Sequence, residues 1–230
     1  MNSTENFKEG RLVLIDKPPH WTSFDAVNKI RYALKRKLQV KKIKVGHAGT
    51  LDPLATGLVL ICTGKMTKQI NDFMGLPKVY TGVMTLGATT PSYDLETQPN
   101  AHFATEHITP STIKKCAQKF EGQIMQVPPA FSAIKNKGVK AYEAARQGQS
   151  VAMKARPVEI YRFEITHIAM PEVHFEVHCS KGTYIRSLAY DMGVALHSGA
   201  YLSSLRRISI GSYSVHEAVT PEEWVAHLEG

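Results

Sequence analysis

A single carboxylate stands inside a glycine-rich and otherwise apolar segment, residues 46–57, which reads Gly-His-Ala-Gly-Thr-Leu-Asp-Pro-Leu-Ala-Thr-Gly. The glycines on either side of Asp52 allow the backbone to approach a ligand closely. A carboxylate in apolar company must be paired, hydrogen-bonded or neutral. Two interpretations stay open on these residues alone: a reactive acid in a ligand-binding loop, or a structural aspartate that caps the following turn.

Several other signatures of chemistry are missing from the sequence. Residues 64–67, Gly-Lys-Met-Thr, lack the upstream glycine spacing of a nucleotide-binding P-loop. The cysteines Cys62, Cys116 and Cys179 are widely separated, and the histidines never show metal-ligand spacing on a helix face. The sequence therefore indicates neither a nucleotide-binding loop nor a zinc site.

The positive charge of the chain, +8 overall, is concentrated in two segments. Residues 29–44 carry eight basic side chains and no acid, and residues 131–156 carry six basic side chains against the single acid Glu143. The rest of the chain has more acids than bases, and its last residues, 211–230, contain no lysine or arginine. Clustered basic charge is typical of polyanion binding, because phosphate contacts release condensed counterions. Two solvated faces remain an equally good interpretation of charge alone.

The elements that must position Asp52 can be predicted from apolar periodicity. Residues 11–15 read as a short buried strand, and Thr22 with Asp25 forms a capping-box pattern that opens a helix. That helix is expected to carry the first basic segment on its outer side. Further elements follow from alternation and helical spacing: strands at 79–85, 160–166 and 173–179, and helices at 109–120 and 185–196. Strands and helices mix without a regular βαβ rhythm, which favours an α+β fold.

Residues 46–57 closely resemble the catalytic motif of the TruB family of tRNA pseudouridine-55 synthases. Further motifs of the family are matched in the right order. They are the lysine-proline motif at residues 14–18, the tyrosine-bearing strand at 79–81, the arginine motif at 179–186 and the leucine-arginine motif at 205–207. The resemblance implies a pseudouridine-synthase fold, with a mixed, largely antiparallel central sheet flanked by helices and an RNA-binding insertion.

The resemblance also implies catalytic roles for three residues. Asp52 matches the catalytic nucleophile and must be ionised in a closed pocket. Arg186 matches its partner, whose planar guanidinium can hold the carboxylate in two hydrogen bonds and keep it charged. Tyr80 matches the tyrosine that lies against the target uracil, where its phenol could also help to remove the C5 proton.

Four further residues match positions that bind or surround the substrate. His47 corresponds to the residue that inserts near the space vacated by the flipped base, and Tyr184 to a second residue touching the nucleotide. Leu205 matches an apolar wall of the pocket. Lys17 is expected to support the pocket rather than to perform chemistry.

The family reaction breaks the N-glycosidic bond of a uridine, rotates the uracil and joins its C5 to the ribose. The reaction consumes nothing, so the resemblance implies no cofactor and no metal. The expected partner is the T stem-loop of tRNA, with no membrane and no obligatory protein partner, and the protein is expected to be a cytoplasmic monomer.

The expected organisation is a catalytic domain over residues 1–213, in which an insertion at about 125–155 contacts the T arm. A short acidic tail, residues 214–230, is expected in place of a C-terminal PUA domain. The alternatives left open are a pseudouridine synthase acting on another RNA site and a non-catalytic RNA-binding protein.

Overall fold

The computed structural model describes residues 6–132, 135–136, 139–147 and 153–230. In these ranges the helices are α1 (Asn6–Glu9), α2 (Ser23–Lys37), α3 (Ile70–Gly75), α4 (Pro110–Gln118), α5 (Ala141–Arg146), α6 (Ile185–Ala195) and α7 (Pro221–Glu229), with 3-10 turns at Gly64–Gln69 and Val215–Glu217. The strands are β1 (Leu12–Lys17), β2 (Val45–His47), β3 (Thr56–Thr63), β4 (Lys78–Leu86), β5 (Ala88–Thr89), β6 (Ala101–His102), β7 (Gly122–Gln126), β8 (Lys135–Asn136), β9 (Val139–Lys140), β10 (Arg156–Ala169), β11 (Glu172–Cys179), β12 (Ala200–Ile210) and β13 (Tyr213–Ser214).

The chain divides into two compact units. The first contains the residues up to Tyr80 together with Leu205–Gly230, and the second contains Thr81–Ser204. Strands β4 and β12 each contribute residues to both units. Among the described residues, no helix combines the length and the hydropathy that crossing a bilayer requires.

Strand β3 is the centre of the sheet in the first unit. β1 pairs with it in the antiparallel direction, and the second half of β12 pairs with it in the parallel direction. β2 pairs with the end of β3, and β13 pairs with β12. Gly57 of β3 lies opposite Lys17 of β1 and opposite Arg207 of β12. Since paired residues on neighbouring strands point to the same face, this register places both cationic side chains on one face of the sheet.

Helix α2 covers this sheet, and both of its ends are defined by hydrogen bonds. At its start, the Thr22 side chain accepts from the amide of Asp25 (3.0 Å), whose carboxylate accepts from the amide of Thr22 (2.8 Å). At its end, Gln39 takes a left-handed conformation, with φ of 53°, and the amide of Val40 donates to the carbonyl of Lys35 (3.1 Å). This is a Schellman motif with glutamine in place of the usual glycine.

The second unit is built on an antiparallel hairpin of β10 and β11, which runs from the pair Ile160–Cys179 to the pair Ala169–Glu172. β7 pairs with the outer edge of β10, and β4 is the neighbour of β11 on the other side. The first half of β12 follows β4, where the Ser203 hydroxyl donates to the carbonyl of Val83 (3.0 Å). Strands and helices enclose a core that includes Met84, Ile113, Phe163, Phe175, Val177, Leu188 and Met192.

The predicted α+β class and the largely antiparallel sheet flanked by helices are confirmed. The predicted strands correspond to β1, β4, β10 and β11, and the predicted helices to α2, α4 and α6. The prediction that α2 carries the whole first basic segment was wrong in part. Lys41, Lys42 and Lys44 follow the Schellman motif and lie outside α2, in the irregular stretch before β2.

The predicted insertion at 125–155 is described in part. It contains the short helix α5, whose Arg146 donates two hydrogen bonds to the carboxylate of Glu96, at 3.0 and 2.6 Å. Lys137 of the second basic segment, together with residues 133–134, 138 and 148–152, lies outside the described residues.

The carboxyl of Asp191, in α6, offers a pH-dependent test of how α6 packs in the second unit. Burial raises the pKa of this carboxyl from 3.8 to about 6. A raised pKa means that the stabilisation from this group is present below pH 4 and is lost as the pH rises through 6. We therefore expect Asp191→Asn to raise the free energy of unfolding at pH 7.5 by about 1.5 kcal/mol, less than the full shift implies because the group is partly solvated.

The measurement is urea unfolding of both proteins at pH 4 and pH 7.5. At pH 4 the two proteins should have nearly equal stability, because the wild-type carboxyl is then protonated. A stability difference that is the same at both pH values would contradict the assignment.

Candidate active site

The segment between β2 and β3, residues 48–55, holds Asp52 in a loop without regular secondary structure. The amide of Leu51 donates to the hydroxyl of the buried Ser23 (2.8 Å), which ties the loop to the first turn of α2. The amide of Ala55 donates to the carbonyl of Asp52 (3.1 Å) and closes the turn that follows. The backbone is therefore fixed by hydrogen bonds on both sides of Asp52.

Lys17 is fully buried next to this loop, and its ammonium group is occupied by backbone oxygens. Nζ donates to the carbonyls of Pro18 (2.9 Å), Trp21 (2.7 Å) and Pro53 (3.3 Å). Burial lowers the pKa of Lys17 to about 8, whereas the negative charge of Asp52 acts in the opposite direction. Lys17 thus joins the end of β1 to the residue that directly follows Asp52. Its supporting role at a substrate pocket stays a prediction.

Arg207 is the second buried cation of this face, with 1% of its surface exposed. Nε donates to the carbonyl of Leu58 (2.7 Å) and Nη2 donates to the carbonyl of Gly49 (3.1 Å), within the loop. The strand that carries Arg207 approaches Gly57 so closely that a Cβ there would lie 2.3 Å from the Arg207 carbonyl oxygen. Gly57 also has φ of 103°, so only glycine allows this contact.

His47 is the last residue of β2 and directly precedes the loop. Burial lowers the pKa of its imidazole, and the positive charge of Arg207 lowers it further. The ring is therefore neutral at physiological pH and can stack or exchange hydrogen bonds without carrying charge.

Tyr80 and Leu205 are buried residues of β4 and β12. Lys78 lies two positions before Tyr80 and donates from Nζ to the carbonyl of Leu76 (2.5 Å), which anchors the start of β4 to the segment after α3. The carbonyl of Leu205 accepts a long hydrogen bond from the hydroxyl of Thr56 (3.5 Å). The contacts that Tyr80 and Leu205 are expected to make with a uracil stay predictions.

Arg186 is buried in the first turn of α6, in the second unit. Nη1 donates to the carbonyl of Ser92 (3.0 Å) and Nη2 to the carbonyl of Phe131 (2.9 Å). Its Nε lies 3.6 Å from Oδ2 of Asp94, a buried carboxylate that sequence reasoning did not single out. Arg186 and Asp52 belong to different units, and their pairing stays a prediction.

Tyr184 precedes α6 and is held through its backbone. Its amide donates to Oε1 of Gln126 (2.8 Å), and its carbonyl accepts from Nε2 of the same side chain (3.0 Å). Gln126 is buried at the end of β7, and its amide side chain fixes the backbone of Tyr184 at two points. No sequence signal set this glutamine apart from the other polar residues of its strand.

A hollow of about 360 Å³ in the first unit is lined mainly by basic side chains. The lysines around it come from separate stretches of sequence: Lys8, Lys42, Lys44, Lys65 and Lys68. Lys65 is paired with Glu9 at 2.6 Å. Lysines of the first basic segment thus lie beside lysines that are distant in sequence, and together they form one positively charged surface.

The basic face of α2 has a different environment, because α7 packs against it. Arg36 forms an ion pair with Glu229, and Nζ of Lys29 lies 3.9 Å from Glu222. Lys37 donates from Nζ to the backbone carbonyl of Glu229 (3.3 Å). The residues expected to form an acidic tail thus include a capped helix that partly neutralises the basic helix.

In the first unit, Lys17 contacts the loop that carries Asp52, and His47 directly precedes this loop. Arg186 and Tyr184 lie at the start of α6 in the second unit. Sequence reasoning missed Asp94, Gln126 and the role of Arg207. The motif at 205–207 contained Arg207, and a charged residue at an inward-facing position of a strand was the signal that could have identified it.

Comparison with known sequences gives a match to a family profile and relatives of nearly equal length. The profile described as TruB family pseudouridylate synthase, N-terminal domain, matches residues 35–185. A tRNA pseudouridine synthase B of Flavobacterium johnsoniae is 56% identical over 216 residues, with 94% of each chain covered. A protein of the same name from Phocaeicola vulgatus is 51% identical over 227 residues, with 97% of each chain covered.

Two solved structures have a similar fold. A chain in a Cbf5–Nop10–Gar1 complex is 29% identical, with a TM-score of 0.73, over 98% of this chain and 56% of that chain. A chain in an H/ACA RNP bound to a substrate RNA containing 2'-deoxyuridine is 26% identical, with a TM-score of 0.71, over 98% of this chain and 55% of that chain. The protein thus spans little more than half the length of these structural relatives. The profile match and the identity to full-length relatives, rather than the fold alone, establish that the chain belongs to the TruB family of pseudouridylate synthases.

Proposed function

We propose that the protein isomerises uridine to pseudouridine at position 55 in the T loop of tRNA. The observation that carries the proposal is the placement of Asp52 in a loop held by buried cations, within the motif that matches the family's catalytic segment. The relatives of nearly equal length are named tRNA pseudouridine synthases. In the reaction the bond between N1 and the ribose breaks, a bond from C5 to the same ribose carbon forms, and the C5 proton leaves as N1 gains one.

Asp52 is the proposed nucleophile, which requires an ionised carboxylate in a site closed to water. The positive charge of Lys17 acts on Asp52 from within the same unit. Arg186 is proposed as the direct partner, because a buried guanidinium can hold a carboxylate in two hydrogen bonds and favours its charged form. Asp94 and two carbonyls fix the guanidinium of Arg186 within the second unit, which supports this proposal.

The target uridine must leave the stack of the T loop before it can reach Asp52, at a cost of a few kcal/mol. We assign the stacking surface for the flipped uracil to Tyr80, with a further role in removing the C5 proton, and an apolar wall to Leu205. The neutral imidazole of His47 suits insertion among the loop bases. Tyr184, with its backbone clamped by Gln126, is assigned to a second contact with the nucleotide.

The lysine-lined hollow is the proposed contact for the phosphates of the T arm. Its lysines converge on one surface, and clustered positive charge gains from counterion release when it binds RNA. The basic side chains of α2 already have acidic or carbonyl partners on α7, so their contribution to RNA binding should be smaller.

The remaining expectations stay proposals. They are a catalytic domain over residues 1–213 with an RNA-contacting insertion at about 125–155, a tail at 214–230, and a monomer located in the cytoplasm. The described cysteines Cys62, Cys116 and Cys179 are free and buried, which suits a reducing compartment.

Removal of the proposed nucleophile tests the function directly. Unmodified tRNA transcript is incubated with the protein, and any pseudouridine is mapped along the RNA. We expect modification at position 55, and Asp52→Asn should lower the single-turnover rate by at least about 10⁴-fold, because the amide cannot act as the nucleophile. Binding of the same RNA should change less than twofold.

Asp72→Asn is the matched control, since Asp72 is an exposed aspartate of the same unit and should leave the rate unchanged. Near-normal turnover by Asp52→Asn would contradict the role of Asp52. Pseudouridine at another site would support a synthase of different specificity, and binding without any product would support a non-catalytic RNA-binding protein.

The proposed phosphate surface is tested by charge removal in two places. Lys44→Ala with Lys68→Ala should make the log–log salt dependence of tRNA binding less steep by about 1.5, because two phosphate contacts are lost. Lys29→Ala with Lys37→Ala, the matched pair on α2, should leave the slope nearly unchanged. The measurement is fluorescence anisotropy with labelled tRNA over a salt series, in the Asp52→Asn background. A larger effect from the α2 pair would place the phosphates on α2 instead.

A further inference from the structure

Tyr93 lies in the stretch between β5 and β6 and has a left-handed backbone, with φ of 63°. Residues other than glycine adopt this conformation rarely, so the surrounding structure must enforce it. The amide of Tyr93 donates to the carbonyl of Thr90 (3.1 Å), and its carbonyl accepts from the amide of Leu202 (2.9 Å). Both backbone polar groups of Tyr93 are thus bonded within the second unit.

The residues on either side of Tyr93 both contact Arg186. The carbonyl of Ser92 accepts from Nη1 (3.0 Å), and Oδ2 of Asp94 lies 3.6 Å from Nε. The chain therefore turns at Tyr93 with one contact to the guanidinium before the turn, from a backbone carbonyl, and one after it, from a carboxylate.

The ring of Tyr93 stacks on the ring of Tyr190, with centroids 4.1 Å apart and an interplanar angle of 16°. Tyr190 lies four residues after Arg186 on α6, so the two side chains occupy the same face of the helix. One helix face therefore holds three consecutive residues: Arg186 contacts Ser92 and Asp94, and Tyr190 contacts the tyrosine between them. Burial raises the pKa of Tyr93, so its phenol remains neutral.

We propose that Tyr93 and Tyr190 are positioning residues for the reaction, which act by fixing the 92–94 segment against Arg186. Loss of the stack lets this segment shift, and the guanidinium then loses its defined orientation. The inference rests on the proposed role of Arg186 in catalysis. Misplacement of a catalytic group by about 1 Å can lower a rate by up to about 100-fold, so the effect should be measurable.

The first experiment compares two variants at position 190 of the full-length protein. Tyr190→Phe keeps the aromatic ring and should leave the single-turnover rate on unmodified tRNA within twofold of wild type. Tyr190→Leu keeps a good helix former but removes the planar ring, and should lower the rate about tenfold or more. The Kd for tRNA should be unchanged in both variants, because the stack orients Arg186 rather than binding RNA. A merely structural role would instead lower the thermal midpoint without this separation of rate from binding.

The second experiment tests whether the two rings act as one unit. Tyr93→Leu and Tyr190→Leu, each disrupting the same stack, should together slow the reaction no more than the more severe single variant does. Multiplicative losses in the double variant would overturn the proposal, as would equal rates for Tyr190→Phe and Tyr190→Leu.

An Arg186→Lys variant separates this inference from the function on which it rests. Lysine keeps the charge but loses the planar fork, so the rate should fall severely. A wild-type rate for Arg186→Lys would refute the catalytic role of Arg186 itself. A slow Arg186→Lys protein together with a fully active Tyr190→Leu protein would leave that role intact and refute the positioning role of the tyrosines.

Discussion

Buried cations that need oxygen acceptors determine how the loop around Asp52 is folded. Lys17 and Arg207 lie on one face of the first unit's sheet, opposite each other across Gly57. Each is removed from water and must recover its hydrogen bonds from nearby carbonyls, since an unpaired buried charge is very costly. The carbonyls of Gly49 and Pro53 meet part of this demand, and the loop between them carries Asp52.

In the second unit, Arg186 is likewise a buried cation whose hydrogen bonds come from backbone carbonyls. Its guanidinium is removed from solvent and held by backbone carbonyls, but it also has the carboxylate of Asp94 nearby. The difference matters chemically. Lys17 supports the loop through its ammonium group, whereas a planar guanidinium with a fixed orientation is suited to receive a second carboxylate. In both units a buried cation is oriented by backbone carbonyls of its own unit.

Local sequence patterns predicted β1, β4, β10 and β11 and the helices α2, α4 and α6, but they did not predict β3 or β12. The capping box at Thr22 was predictable because its two residues are three positions apart. The end of α2 was not, because Gln39 takes the left-handed conformation that glycine usually signals. Asp94 and Gln126 also escaped prediction, because their significance arises only when the fold brings them to residues distant in sequence.

The claim that a buried cation holds the Asp52 loop is tested most directly by amide hydrogen exchange in Lys17→Met. Methionine preserves the apolar stem but provides no donor for Pro53. We predict that the amides of Leu51 and Ala55 exchange at least about tenfold faster than in wild type, whereas the amides within β3 keep their protection. Arg206→Met removes a partly exposed pair with Asp16 and should leave the loop protected. Unchanged protection of Leu51 and Ala55 in Lys17→Met would contradict the account.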